Sequence, residues 1–152
     1  MDFDADNILD PAIAEYLNDF AGESPSTAKA MEEEAARRDF PIVGPVVGRF
    51  LSLFAGAIEP DRILELGSGF GYSAFWFADG TENTTIHLTE FDQENLESAR
   101  NVLEESFPAG RFCYHHGDAL EIADELDEAF DLVFVDLEKE TYPAALDRAE
   151  EI

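Results

Sequence analysis

An α/β domain, with an open parallel sheet and helices on both faces, is the fold this chain predicts. Three observations carry that expectation. Residues 62–78 read as strand, glycine turn and helix in immediate succession. Four short apolar runs alternate along the chain with segments of helical periodicity, the pattern of a sheet wound by right-handed crossovers. Each run ends in an acid or a glycine–acid pair, at the strand ends where such sheets gather their ligand groups.

Taken in order, Asp10-Pro11 caps a first helix with Ile13, Tyr16, Leu17 and Phe20 at helical spacing. Residues 22–24 break it, and a polar helix follows over 26–38. Val46, Val47, Phe50, Leu51, Phe54 and Ile58 mark an amphipathic helix ended by Pro60. These N-terminal helices (1–60) either pack or form a lid, with the turn at 41–44 beside the glycine loop. Ile63, Leu64 and Leu66 make the first strand, Gly67, Gly69 and Gly71 the turn, and 74–78 the following helix. Residues 85–89 form the second strand, and Asp92 caps a helix running to about Phe107. The third strand spans 111–115; a short acidic helix runs from the Gly117-Asp118-Ala119 loop through Asp127. The fourth strand spans 130–136, and a last helix starts near Tyr142-Pro143 and continues to Ile152.

The glycine loop selects the ligand. A dinucleotide fingerprint is G-x-G-x-x-G, whereas here the third glycine comes one residue early. Glu65 sits two residues before the first glycine, where a carboxylate repels pyrophosphate and suits an ammonium and a sulfonium. No Lys or Arg occurs between Ile63 and Ala99 to neutralise phosphates, and the P-loop pattern is absent. Glu90 ends the second strand 19 residues beyond Gly71, placed to accept both hydroxyls of a ribose. These residues favour S-adenosylmethionine over a nicotinamide dinucleotide.

Composition narrows the partners. With 152 residues and 45% hydrophobic content the chain forms one domain with a sizeable core. It carries 35 acids against 9 bases, a net charge of −26, which argues against nucleic acid or an anionic membrane. So acidic and lysine-poor a surface is the habit of proteins working in concentrated salt, a halophilic adaptation. Cys113 is the only cysteine and leaves no intrachain disulfide; in a strand it reads as an inert core residue. The N-terminus Met-Asp-Phe-Asp-Ala-Asp has no signal-peptide pattern, and no stretch is apolar enough to span a membrane, so the expected location is cytoplasmic.

From Pro41 onward, about three quarters of its length, the chain resembles the O-methyltransferases of the catechol and caffeoyl-coenzyme A type. Ile-Leu-Glu-Leu-Gly-Ser-Gly-Phe-Gly-Tyr-Ser at 63–73 is similar to that family's cofactor motif. Thr-Glu-Phe-Asp at 89–92 resembles its ribose motif, Gly-Asp-Ala at 117–119 its adenine loop, and Val-Asp-Leu-Glu-Lys-Glu-Thr-Tyr at 135–142 its metal-site motif. The resemblance implies a Rossmann-like class I methyltransferase fold, strand order 3-2-1-4, and S-adenosylmethionine as cofactor. It places the methionine end on Glu65, Gly67 and Ser73, with Ser68, Gly69, Gly71 and Tyr72 completing the loop, and Val43 matches a cofactor-contacting position in the preceding turn. Glu90 and Phe91 take the ribose, and Asp118 and Ala119 the adenine edge. Asp136 matches a cofactor-side carboxylate that binds a divalent metal such as magnesium. Lys139 matches the lysine that helps deprotonate the acceptor, a small hydroxylated molecule; Asp136 and Lys139 are thus the expected catalytic pair.

Two departures remain. The family's Asp-Ala-Asp-Lys is Asp136-Leu137-Glu138-Lys139 here, and its Asp-Asn metal ligands fall on a strand beyond Ile152. The chain is therefore expected to be a C-terminally incomplete core (61–152) or a natural short form. Asp136 has a second reading as a turn cap, and Lys139 as an ion-pair partner of Glu138 or Glu140. His115-His116-x-Asp118 holds ligand types in a row, but neighbours in a strand point apart, and His87 reads as a core histidine. A strand as apolar as 132–135 makes a poor sheet edge, so a homodimer partner or further chain is expected to cover it.

Overall fold

In the computed structural model, residues 10–152 are described; the N-terminal hexapeptide that bears on a signal sequence lies outside them. The Asp10 carboxylate accepts from the Ala12 N–H and Pro11 fills the first turn of helix α1 (Pro11–Ala21), an arrangement that satisfies an otherwise orphaned donor. Helices α2 (Ser26–Arg38) and α3 (Gly44–Ile58) follow, each closed by a non-glycine residue in the left-handed region, Asp39 and Glu59.

Strands β1 (Arg62–Leu66), β2 (Thr85–Glu90), β3 (Phe112–His116) and β4 (Leu132–Val135) form one parallel sheet in the order β3-β2-β1-β4, as expected. Between them lie α4 (Tyr72–Gly80), α5 (Gln93–Ser106) and α6 (Ala119–Glu125). A 3-10 turn (Lys139–Thr141) leads into α7 (Tyr142–Ala149). Alternation along β1 divides the core. Ile63 faces Trp76, Phe77, Leu96 and Leu103 of α4 and α5, while Leu64 and Leu66 face Ala119, Ala123 and Ala145 of α6 and α7. Trp76 and Phe77 are fully buried, so the aromatic run of α4 is helix–sheet packing.

Four boundaries differ from expectation. β3 begins at Phe112 because the buried Arg111 side chain turns away to bond the Ala78 and Thr84 carbonyls and the Thr81 hydroxyl. β4 begins at Leu132 because the Phe130 N–H donates to the Ile152 carbonyl and the Asp131 carboxylate accepts from the Asp61 and Arg62 N–H groups. The sixth helix stops at Glu125, before Asp127, and α7 stops at Ala149, before Ile152. Cys113 is half-buried on β3, less enclosed than the core position expected of it. No helix among the described residues is long and apolar enough to cross a membrane.

Candidate functional site

The carboxyl ends of the four strands open into a cleft of about 860 Å³. The glycine loop forms its floor and is tied to β2: the Gly67 N–H donates to Thr89 Oγ1 at 3.2 Å and the Ser68 N–H to the Thr89 carbonyl at 2.9 Å. Gly67 has φ +84, and a Cβ there would run into the Asp136 carbonyl, so only glycine lets the loop cross the end of β4.

Glu90 sits where β2 ends. Its Oε2 accepts from the Gly69 N–H and its Oε1 from the Asp92 N–H, each at 2.8 Å. Each carboxylate oxygen accepts two hydrogen bonds, so both keep a lone pair toward the cleft. The Gly117 N–H in turn donates to the Glu90 carbonyl at 3.0 Å, joining the adenine-side loop to β2. Asp118 caps α6 through the Leu120 and Glu121 N–H groups, which leaves Ala119 on the cleft wall.

Twelve of the expected site residues line this one cleft: Val43, Gly67, Ser68, Gly69, Tyr72, Ser73, Glu90, Phe91, Asp118, Ala119, Asp136 and Lys139. Two do not reach its surface. Gly71 is buried as the N-cap of α4. Glu65 is fully buried behind Ser73, whose hydroxyl donates to its Oε1, while Oε2 has no partner. Burial pushes the Glu65 carboxyl up to about 8, the Ser73 hydrogen bond pulls it down, and Asp136 and Glu90 push it further up. An orphaned, fully buried acid next to an open cleft matches a cationic group arriving from the cleft side.

Asp136 opens onto the cleft, with its N–H donated to the Leu66 carbonyl at 2.9 Å, and desolvation raises its carboxyl pKa. Lys139 is exposed at the start of the 3-10 turn, and the ion pairs among the described residues do not include it. Tyr72 turns its hydroxyl away from the cleft, to Glu32 of α2 at 2.7 Å, and burial together with that acid raises its pKa. The histidines diverge as expected. His115 Nε2 meets His87 Nδ1 at 3.2 Å, whereas His116 reaches the Phe91 carbonyl. No group of three or more His, Cys, Asp or Glu residues that could hold a metal stands among the described residues.

Several lining residues were missed by sequence reading: Phe40, Pro41 and Ile42 from the segment after α2, Thr89, and Leu137 and Tyr142 near Asp136. Thr89, Leu137 and Tyr142 fall inside the ribose and metal-site motifs without having been singled out as site residues, and Phe40 carries no motif. Only the proximity expected for the 41–44 turn pointed toward Pro41 and Ile42.

Comparison with known proteins accords with this geometry. A catechol O-methyltransferase from Mycobacterium tuberculosis is 34% identical over 140 residues, covering 90% of this chain and 60% of the relative. A second catechol O-methyltransferase, from Niastella koreensis, is 27% identical, with 90% and 65% covered. The chain thus spans less than two thirds of the length of either relative. An O-methyltransferase from Bacillus cereus, crystallised in complex with SAH, superposes with a TM-score of 0.81 at 27% identity, covering 92% of this chain and 67% of that one. The profile of the O-methyltransferase family matches residues 20–152. A match over residues 20–152, together with the fold shared with a solved O-methyltransferase, means that the chain belongs to the O-methyltransferase family.

Proposed function

We propose that the cleft binds S-adenosylmethionine and serves methyl transfer to a hydroxyl of a small acceptor of the catechol kind. The observation that carries the reading is Glu90, held by two backbone N–H groups with one lone pair left on each oxygen. That is the acceptor set two adjacent ribose hydroxyls require. Support comes also from the orphaned Glu65 Oε2, part of a buried carboxyl that an arriving ammonium would draw into its ionised form, and from the scarcity of cations, Lys139 being the only basic residue among the described residues that line the cleft. A SAM-bound O-methyltransferase from Streptomyces achromogenes has the same fold, at a TM-score of 0.82 and 28% identity.

When bound, the cofactor supplies a methyl group on a cationic sulfur. This chain's residues do the rest. Glu90 orients the ribose and the Ala119 backbone meets the adenine edge, while Val43 and Ser73 enclose the amino-acid end, with Glu65 behind. Lys139, as the free amine, would take the proton of the acceptor hydroxyl, while the bound cofactor would supply the methyl group. Asp136 is a carboxylate of the kind magnesium takes, yet no group of three or more His, Cys, Asp or Glu side chains forms around it among the described residues. No step here is therefore routed through a metal.

That same gap favours a second reading, a cofactor-binding module that does not itself complete transfer. The assay that separates them uses S-adenosylmethionine labelled on its methyl group, with catechol, with and without magnesium. Label appearing in an O-methylated product supports the enzyme; binding without transfer under either condition supports the module.

A further inference from the structure

Residues 40–43 form a strap between α2 and α3 that roofs one side of the cleft. Phe40, Ile42 and Val43 of the strap pack against the core but are only partly buried. A second cavity of about 390 Å³, lined by Glu32, Ala35, Ala36 and Asp39, opens on its far side, so Phe40, Pro41 and Ile42 stand between two spaces. That partial packing leaves a further hold to be supplied.

Arg38, the last residue of α2, supplies that hold. Its guanidinium carbon lies 5.2 Å from the Phe40 ring centroid and 5.4 Å from that of Phe70, the aromatic of the glycine loop. The two rings meet edge to face at 5.1 Å. Phe40 also sits against Gly69, where a Cβ would come within 3.0 Å of the ring. The far end of the guanidinium donates to Asn95 Oδ1 on α5, and Asn95 is buried. The Asn95 N–H is held by Asp92, whose own N–H is held by Glu90, and Glu90 accepts from Gly69. The contacts close a ring from strap to helix to ribose acid to glycine loop and back. An exposed arginine in a chain with 35 acids and 9 bases would ordinarily pair with a carboxylate. Among the described ion pairs Arg38 has none, and it is spent on two aromatic faces and a neutral amide.

We propose that Arg38 is a positioning residue of the cofactor site: it clamps Phe40 onto Phe70, anchors on Asn95, and so holds the strap that closes the methionine end of the cleft. The inference rests on the S-adenosylmethionine reading. It adds that affinity for the amino-acid end depends on a side chain that does not line the cleft.

The test is calorimetry on the parent, Arg38→Ala and Arg38→Lys with two probes. S-adenosylhomocysteine carries the amino-acid end, and 5′-methylthioadenosine keeps the nucleoside and lacks it. Both variants are expected to bind S-adenosylhomocysteine about tenfold more weakly, because lysine keeps the charge but has neither the planar face nor the fork. Binding of 5′-methylthioadenosine is expected to change much less, because the backbone N–H groups that hold Glu90 do not bond to Arg38. A general structural role would weaken both probes alike, and that result overturns the proposal, as does unchanged S-adenosylhomocysteine binding in the variants. Should Arg38→Ala not fold, Arg38→Lys alone decides. A parent that binds neither probe removes the cofactor reading itself, and this inference with it.

Discussion

The Gly69 N–H donates to Glu90 Oε2 at 2.8 Å, so the floor of the cleft and the tip of the neighbouring strand are one unit. Replacing Glu90 with Ala removes that bond, the one from Asp92, and the acceptors proposed for the ribose. Charge-assisted hydrogen bonds are worth about 1.5–3 kcal/mol each. Glu90→Ala is therefore expected to weaken S-adenosylhomocysteine binding by at least about tenfold, read by calorimetry. Affinity equal to the parent's would remove Glu90 from the site.

Much of this unit was legible in the sequence, for physical reasons that can be named. The glycine spacing, the acid closing β2 and the Asp92 cap are local patterns, and the parallel sheet order followed from alternation and the family likeness. The Arg38–Phe40–Phe70–Asn95 cluster was not legible, because it joins residues far apart in the chain with no periodicity. The Tyr72–Glu32 bond is of the same kind. Glu65 was placed at the ligand from its position in β1, yet alternation turns its side chain into the sheet–helix layer, where Ser73 mediates. Leu132, Val133, Phe134 and Val135 read as a strand covered on both faces; each is half-buried, since helices cover the faces while one edge stays open among the described residues.

Glu65 gives a signed pH dependence. Its carboxyl is raised from an ordinary value of 4.5 to about 8, so between those values the folded protein holds a proton that the unfolded chain has lost. The group's favourable contribution is intact below pH 4.5 and is withdrawn as pH rises toward about 8. Glu65→Gln, which cannot ionise, is expected to melt progressively higher relative to the parent as pH goes from 5 to 8.5. A parent–variant difference that is flat or falling over that window would contradict the burial argument.

Salt acts on the whole surface. A net charge of −26 on 152 residues implies strong self-repulsion, which ions screen with a Debye length falling from about 10 Å at 0.1 M to about 3 Å at 1 M. The melting temperature is expected to rise from dilute buffer to molar potassium chloride. A flat or declining curve would count against adaptation to concentrated salt.

The open side of β4 predicts association. Among the described residues β4 is paired only to β1, and its apolar run carries neither charge nor proline to deter strand pairing. Light scattering on residues 1–152 across a concentration series is expected to show species larger than the monomer. A monodisperse monomer at every concentration would mean that the edge is protected.

The central claim, that the cleft at the strand ends holds an adenosyl cofactor bearing an ammonium, is tested most directly by calorimetry of the parent protein. S-adenosylmethionine, S-adenosylhomocysteine and NAD are titrated in turn under the same molar salt. The account predicts saturable one-to-one binding of the first two and no binding of NAD, since among the described residues Lys139 is the only cation in the cleft wall to meet a pyrophosphate. NAD binding with no response to either adenosyl ligand would contradict it.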